Sequence, residues 1–134
     1  MKFIVESVSP DSITLNVPGT NYRNTFKWAG NQTPETGKKI YGDVRAMARK
    51  VEEVSDGGNY VEPLFGPPRR MQGLVLTQDT LKNELVVLVG YQVHVTVPAT
   101  QKASDFAVGS RVGWDNAELP EFTAEAPNAI TAGV

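Results

Sequence analysis

Apolar residues at every second position are the feature of this sequence that most limits how the chain can fold. The pattern runs over residues 13–17 and returns over residues 93–97, each time with branched aliphatic side chains at the apolar positions. Successive side chains of a strand point to opposite faces, so this period predicts strands with one buried face. Pro18 and Gly19 follow the first run and Gly90 precedes the second, which predicts tight turns beside both. We therefore expect an all-β protein with little helix.

Length and composition limit the classes of protein to which the chain can belong. The chain has 134 residues, which is enough to bury a core without covalent cross-links. It contains no cysteine, which excludes disulfides, thiolate nucleophiles and cysteine-based zinc sites. Residues 1–7 lack the apolar run of a secretory signal, and no window has the apolar length of a membrane span. These features predict a cytoplasmic protein without a membrane partner.

The two halves of the sequence show a similar order of apolar and glycine positions. Residues 3–17 align with residues 75–89 at an offset of 72, and Gly37 aligns with Gly109 at the same offset. With a small slip in the following turn, Phe26 aligns with Val95. Such internal similarity is the signature of duplication. We expect two related halves, and chance resemblance between two β-rich stretches is the alternative.

Composition divides the chain into four segments. The first β half covers residues 1–54 and the second covers residues 74–122. Residues 123–134 are small and weakly apolar, which predicts a frayed tail. Residues 55–73 connect the halves and contain four glycines and three prolines. Their aromatic residues argue against disorder, so we expect an ordered, packed loop with a short edge strand at residues 60–62.

Residues 40–54 fit two patterns. Small and apolar residues alternate with larger ones from Ile40 to Ala48, as in a strand, but Val44, Met47, Val51 and Val54 also fit a helical stripe. The neighbouring strands and Gly42 favour a long, bent strand. A helix remains the alternative.

The second half carries a resemblance to known small folds. Residues 85–97, followed by Phe-Ala-Val-Gly-Ser-Arg-Val at 106–112, have the strand–strand–loop–strand pattern of five-stranded barrels of the OB or SH3-like type. The resemblance implies two related small β-barrel-like halves packed together. Barrels of this kind commonly bind oligonucleotides, oligosaccharides or proteins, so a binding role is implied by analogy of fold.

Residues for catalysis are scarce. His94 is the sole histidine, a zinc site would need carboxylates for all its other ligands, and no Gly-x-Ser-x-Gly motif is present. Asp115 and Glu118 lie near Trp114, where a sugar could stack, but solvated carboxylates are the simpler interpretation. The sequence predicts no catalytic residue, no metal and no cofactor.

Arginine and aromatic residues in the connecting loop form the one candidate binding site. Guanidinium groups bind phosphate or carboxylate in a bidentate manner, and aromatic rings stack on bases. The candidate residues are Tyr60, Phe65, Arg69 and Arg70, with Arg45 and Arg49 from the preceding segment. In the alternative interpretation Tyr60, Leu64 and Phe65 are packed between the halves and the arginines are solvated.

Two functional hypotheses follow. The first is a non-catalytic binding module for single-stranded nucleic acid or another anionic ligand. Residues 23–70 hold nine Lys or Arg and six Asp or Glu, a weak basic excess that neither supports nor excludes this hypothesis strongly. The second is a structural or protein–protein interaction protein that forms a homo-oligomer or acts as an adaptor.

Overall fold

The computed structural model describes residues 1–28, 30 and 33–125, which form eleven β-strands, one 3₁₀ turn and no α-helix. The strands are β1 (Lys2–Ser9), β2 (Ser12–Asn16), β3 (Arg23–Trp28), β4 (Lys39–Val54), β5 (Tyr60–Glu62), β6 (Phe65–Gly66), β7 (Arg70–Asp79), β8 (Glu84–Leu88), β9 (Gln92–Thr96), β10 (Arg111–Asn116) and β11 (Glu121–Ala124), with the 3₁₀ turn at Ala103–Asp105. The all-β prediction is confirmed. Nowhere in this part of the chain does a helix reach the length and apolar character that crossing a bilayer requires.

The period-2 residues line the core as the sequence predicts. Ile13 and Leu15 of β2 and Leu85 and Val87 of β8 are completely buried. In the apolar run that begins at Leu85, alternate side chains are buried, and those between them are half-buried. One face of each strand therefore supplies the core, because successive side chains of a strand point to opposite sides.

The ambiguous segment is a strand. β4 extends over 16 residues, and its inward positions from Ile40 to Ala48 are filled by small or branched side chains. Arg49 and Lys50 then both face solvent, and the register against β10 shifts at this point. A register shift of this kind bends a strand. The bend divides β4 into two parts that pack in different regions of the molecule.

The strand pairings form two circuits that meet in β4. In the first circuit β1 pairs with β2, β2 with β3, β3 with β11, β11 with β4, and β4 with β1. In the second circuit β7 pairs with β8, β8 with β9, β9 with β4, β4 with β10, and β10 with β7. The pairs β3–β11 and β9–β4 are parallel, and the other pairs of both circuits are antiparallel.

The two circuits share the same registers. In the antiparallel pair that opens each circuit, one residue is left unpaired after the partners Val5↔Leu15 and after the partners Val75↔Val87. In each circuit the loop that follows the third strand of the meander forms a hydrogen bond back to the first strand. The amide of Gly37 donates to the Val5 carbonyl at 2.7 Å, and that of Gly109 donates to the Val75 carbonyl at 2.9 Å. Leu15 with Val87 and Gly37 with Gly109 are pairs of the sequence alignment, but Val5 corresponds to Val75 at an offset of 70, so the alignment at 72 is wrong by two residues over β1 and β7.

The core is continuous across the two circuits. The ring of Tyr91, from the turn before β9, makes edge-to-face contacts with Phe3, Tyr22 and Phe26 at centroid distances of 5.9, 6.0 and 5.9 Å. Such contacts stabilise a core beyond the burial of apolar area alone. The second half of the chain therefore packs directly into the centre of the first.

The chain end differs in one detail from the predicted segments. Thr123 and Ala124, assigned from sequence to a frayed tail, belong to β11 and pair with β4. Glu125 follows, with its amide donating to the Tyr41 carbonyl at 2.9 Å, and residues 126–134 of that predicted tail lie outside the described residues. The predicted edge strand at residues 60–62 is present as β5, which pairs with β7.

Candidate functional site

The six candidate residues lie in four places. Arg49 and Arg69 line the same groove. Tyr60 and Arg70 lie together beside that groove, on β5 and β7. Phe65 lies against Arg23, with the guanidinium carbon 5.8 Å from the ring centroid. Arg45 is on the outer face of β4, where it forms an ion pair with Glu84 at 3.6 Å. The structure therefore brings together Arg49, Arg69, Arg70 and Tyr60, and leaves Phe65 and Arg45 apart from them.

The groove that contains Arg49 and Arg69 is open to solvent and has a volume of about 440 Å³. Its floor and walls come from the middle of β4, the end of the connecting loop, the end of β10 and the turn before β11. The lining residues are Arg49, Pro67, Pro68, Arg69, Asp115, Asn116, Glu118 and Leu119.

Arginine pairing distinguishes this groove from the rest of the surface. Arg23 is paired with Glu6 at 3.4 Å, Arg45 with Glu84 and Arg70 with Asp115, and Arg111 donates to the Asn59 side chain at 3.1 Å. Within residues 1–28, 30 and 33–125, Arg49 and Arg69 have no ion-pair partner. Of the six arginines, these two alone bind no other side chain among the described residues, and they share the groove. Unpaired guanidinium groups are available to an anion from solution.

A third arginine neutralises one of the groove's acids. Arg70 lies 3.4 Å from the carboxylate of Asp115, so this carboxylate does not compete for Arg49 or Arg69. The pKa of Arg70 is raised above its usual value, chiefly by a hydrogen bond with the Tyr60 hydroxyl; partial burial opposes this effect, and Asp115 adds to it. In the described part of the chain, Glu118 is therefore the one carboxylate of the groove lining that is not in an ion pair, and it is outnumbered there by the unpaired guanidinium groups of Arg49 and Arg69.

Buried side-chain amides hold the connecting loop in place. Asn116 donates from its side chain to the Pro68 carbonyl at 2.9 Å and from its backbone to the Arg69 carbonyl at 2.8 Å. The indole of Trp114 donates to the Asn116 side-chain oxygen at 2.8 Å and fixes its orientation. Arg69 is therefore presented on a fixed backbone, which lowers the entropy lost when a ligand binds.

The start and the middle of the loop are held in the same way. Gln72 is 4% exposed and donates to the carbonyls of Asp56 and Gly58, at 3.0 Å each. Asn24 is completely buried and donates to the carbonyls of Pro63, Leu64 and Gly66. Sequence analysis did not identify Asn24, Gln72 or Asn116, because an amide within a strand gives no pattern that marks its distant backbone partners.

The same loop exposes two large apolar side chains. Leu64 is 46% exposed and Phe65 is 58% exposed, although the backbone around them is held by Asn24. The alternative prediction that these residues are packed between the halves is therefore wrong for both. Tyr60 is half-buried and donates to the Gln72 side chain at 3.2 Å.

Charged residues gather in a second, smaller cavity of about 180 Å³ around His94. The imidazole lies 3.8 Å from Asp43 and 4.0 Å from Glu84. Glu84 also forms an ion pair with Arg45. Across the described ranges, no group of three or more His, Asp or Glu side chains is arranged to hold a metal ion.

The sugar site considered near Trp114 is not formed. Trp114 is completely buried, so its ring has no face for a ligand. Asp115, which would be one of the two acids, is already in an ion pair with Arg70.

No protein-family model, curated protein or solved structure matches this chain.

Proposed function

We propose that this chain is a non-catalytic binding module that takes an anionic group, phosphate or carboxylate, between Arg49 and Arg69. One observation carries the proposal: the two arginines that neither form an ion pair nor bind another side chain among the described residues line the same groove. Asn116 and the adjacent prolines hold the loop backbone on which Arg69 is carried, so the groove is formed before ligand arrives.

The groove favours the charged group of a ligand over its rings. Its lining includes no aromatic side chain, and Phe65 lies elsewhere against Arg23. Base stacking is thus not part of the proposed contact, and a nucleic acid would bind through its phosphates. This form of binding weakens steeply with added salt.

Titration of three anionic probes tests the proposal. Inorganic phosphate, a short single-stranded oligonucleotide and a glutamate-rich peptide are titrated at low and high salt. We expect binding of at least one probe at low salt, weakened about tenfold by Arg49→Ala and by Arg69→Ala, since a charge-assisted hydrogen bond contributes about 1.5–3 kcal/mol. Arg111→Ala, outside the groove, is the matched control and should bind as the parent does. Failure of all three probes to bind at low salt would remove the proposal.

A protein-interaction role is the second candidate, and the exposed Leu64 and Phe65 favour it. Aromatic residues and arginine are enriched where proteins meet, and Arg23 lies over the Phe65 ring. Light scattering of the purified chain tests this candidate. We expect a defined oligomer that Phe65→Glu disrupts and that Val108→Glu, at an exposed position elsewhere, leaves intact. A monomer at every concentration would argue against self-association.

For the fold we propose that each circuit is a small five-stranded barrel of the OB or SH3-like type, and that the two halves arose by duplication. The two circuits of pairing and their shared registers support both points. An experimental structure in which either circuit is open would count against the barrels.

A further inference from the structure

The two circuits exchange one strand. The first circuit takes four strands from the first half of the chain, and its fifth strand, β11, comes from the end of the second half. The second circuit takes four strands from the second half, and its fifth strand is the C-terminal part of β4, from the first half.

The exchanged strands occupy equivalent positions. Phe122 of β11 pairs with Trp28 on one side and Val44 on the other. In the second circuit the corresponding position is Ala48, which pairs with Asn116 of β10 directly after Met47 pairs with Thr96 of β9. The exchange therefore follows one geometry in both directions.

β4 runs antiparallel to the C-terminal segment along almost its whole length. It pairs with β10 from Val54 to Ala48 and with β11 from Arg45 to Gly42. Between these stretches the amide of Ala117 donates to the Met47 carbonyl at 2.8 Å. Two long antiparallel arms of this kind are what a two-fold symmetric dimer with exchanged arms presents.

Each arm completes the core of the other half. Phe122 is 1% exposed, lies 5.5 Å from the ring of Phe3 and is stacked at 5.9 Å on Trp28. Val51, on the other arm, is 2% exposed and pairs with Trp114. Without the partner's arm each half would expose these core residues and an unpaired strand edge, which is unfavourable in water.

We propose that the chain is an intramolecular dimer with exchanged arms, in which each half is the obligate binding partner of the other. One half is the meander β1–β3 with the arm β4, and the other is the meander β7–β9 with the arm β10–β11. This inference concerns the scaffold and is independent of the anion proposed for the groove.

The connecting loop is then dispensable for assembly. Residues 55–69, the part of the connecting loop that precedes β7, supply none of the strands of either circuit. Gly57 and Gly58 are exposed and have φ values of 96° and 68°, so a protease site inserted between them lies at the surface. Cleavage of the folded full-length protein there should leave both fragments in one complex.

The experiment compares the cut and uncut insertion variants by native mass spectrometry and thermal unfolding. We expect the fragments to stay together at the intact mass and to separate only in denaturant. The melting temperature of the cut protein should rise with concentration, while that of the uncut protein should not. Fragments that separate as folded monomers under native conditions would overturn the proposal.

A variant on one arm shows whether the exchanged strand holds the complex. Phe122→Ala in the cut protein should raise the dissociation constant of the fragments by about two to four orders of magnitude, whereas Phe65→Ala should leave it unchanged. Equal dissociation constants for the cut parent, its Phe122→Ala variant and its Phe65→Ala variant would contradict the role of the arm. Hydrogen exchange of the unmodified chain is a second measurement if the insertion impairs folding. Amides of β2 and β8 should then exchange through one shared opening, and two separate opening free energies would contradict the proposal.

Discussion

The hydroxyl of Tyr91 donates a 2.9 Å hydrogen bond to the side-chain oxygen of Asn24, and both residues are completely shielded from solvent. They stand 67 positions apart, one in each half of the chain. The side-chain nitrogen of Asn24 donates to carbonyls of the connecting loop at the same time. This pair therefore joins the two halves and the loop at a single buried point.

Loss of the Asn24 amide should destabilise the whole protein. Asn24→Leu leaves the Tyr91 hydroxyl and the loop carbonyls without a partner, and each buried unsatisfied group costs about 1–3 kcal/mol. We expect the free energy of unfolding in urea to fall by about 3 kcal/mol or more. Tyr91→Phe removes one hydrogen bond of the group and is the milder comparison, at about 1–2 kcal/mol. A loss for Asn24→Leu no larger than that for Tyr91→Phe would show that the loop contacts contribute little.

Tyr91 should also make the protein sensitive to alkali. Burial raises its pKa well above the usual value, with a further contribution from Tyr22. The folded state thus keeps the phenol proton after the unfolded chain has lost it. The stability from this group is complete below a pH of about 10 and falls as the pH rises from there towards the folded-state pKa, by up to about 1.4 kcal/mol per pH unit. Urea unfolding between pH 9 and about 11.5 measures the slope. Tyr91→Phe should have a shallower slope, and equal slopes would refute the assignment.

Gln101 protects an open edge of β4. Its side chain accepts from the Val51 amide and donates to the Val51 carbonyl, both at 2.8 Å, as a neighbouring strand would. Gln101→Glu removes the donor and sets a carboxylate against the carbonyl. We expect a loss of about 1–3 kcal/mol in unfolding free energy at pH 7, partly recovered below a pH of about 4, where the acid is protonated. Gln92→Glu, at an exposed position, should change stability little at either pH.

Phe122 tests the contribution of β11 to the core. Phe122→Ala should lower the free energy of unfolding by about 3–5 kcal/mol, because it opens a cavity between Phe3 and Trp28. Phe65→Ala removes the same side chain from an exposed position and should cost less than about 0.5 kcal/mol. Similar losses for both substitutions would mean that β11 packs less tightly than the contacts indicate.

The connecting loop, up to the start of β7, lies outside the two circuits of strands. The meanders and arms repeat the same registers, while residues 55–69 join them and add β5 and β6 beside the circuits. Pro67, Pro68 and Arg69 of this loop form one wall of the groove. The proposed site therefore lies partly on a loop beside the paired strands, as recognition sites commonly do.

Local patterns were sufficient to predict several of the strands. Alternating valines and leucines, glycine turns and β-branched side chains act over a few residues, so β2, β9 and the edge strand β5 could be recognised to within one residue at each end without knowledge of their partners. The site was predicted only in part. Arg49, Arg69, Arg70 and Tyr60 do lie together, but nothing in the sequence separated them from Phe65 and Arg45.

The sequence by itself determined an all-β chain, the buried face of the strands that alternate clearly, such as β2 and β9, and the position of the connecting loop, because these depend on the chemistry of neighbouring residues. Tertiary structure alone decided that β11 completes the first circuit, that Tyr91 binds the Asn24 side chain that holds the loop, and that Arg49 and Arg69 share a groove while the other arginines bind neighbouring side chains. These outcomes depend on contacts between residues far apart in the chain. Such contacts are selected by the packing of the whole core, and no short stretch of sequence encodes them.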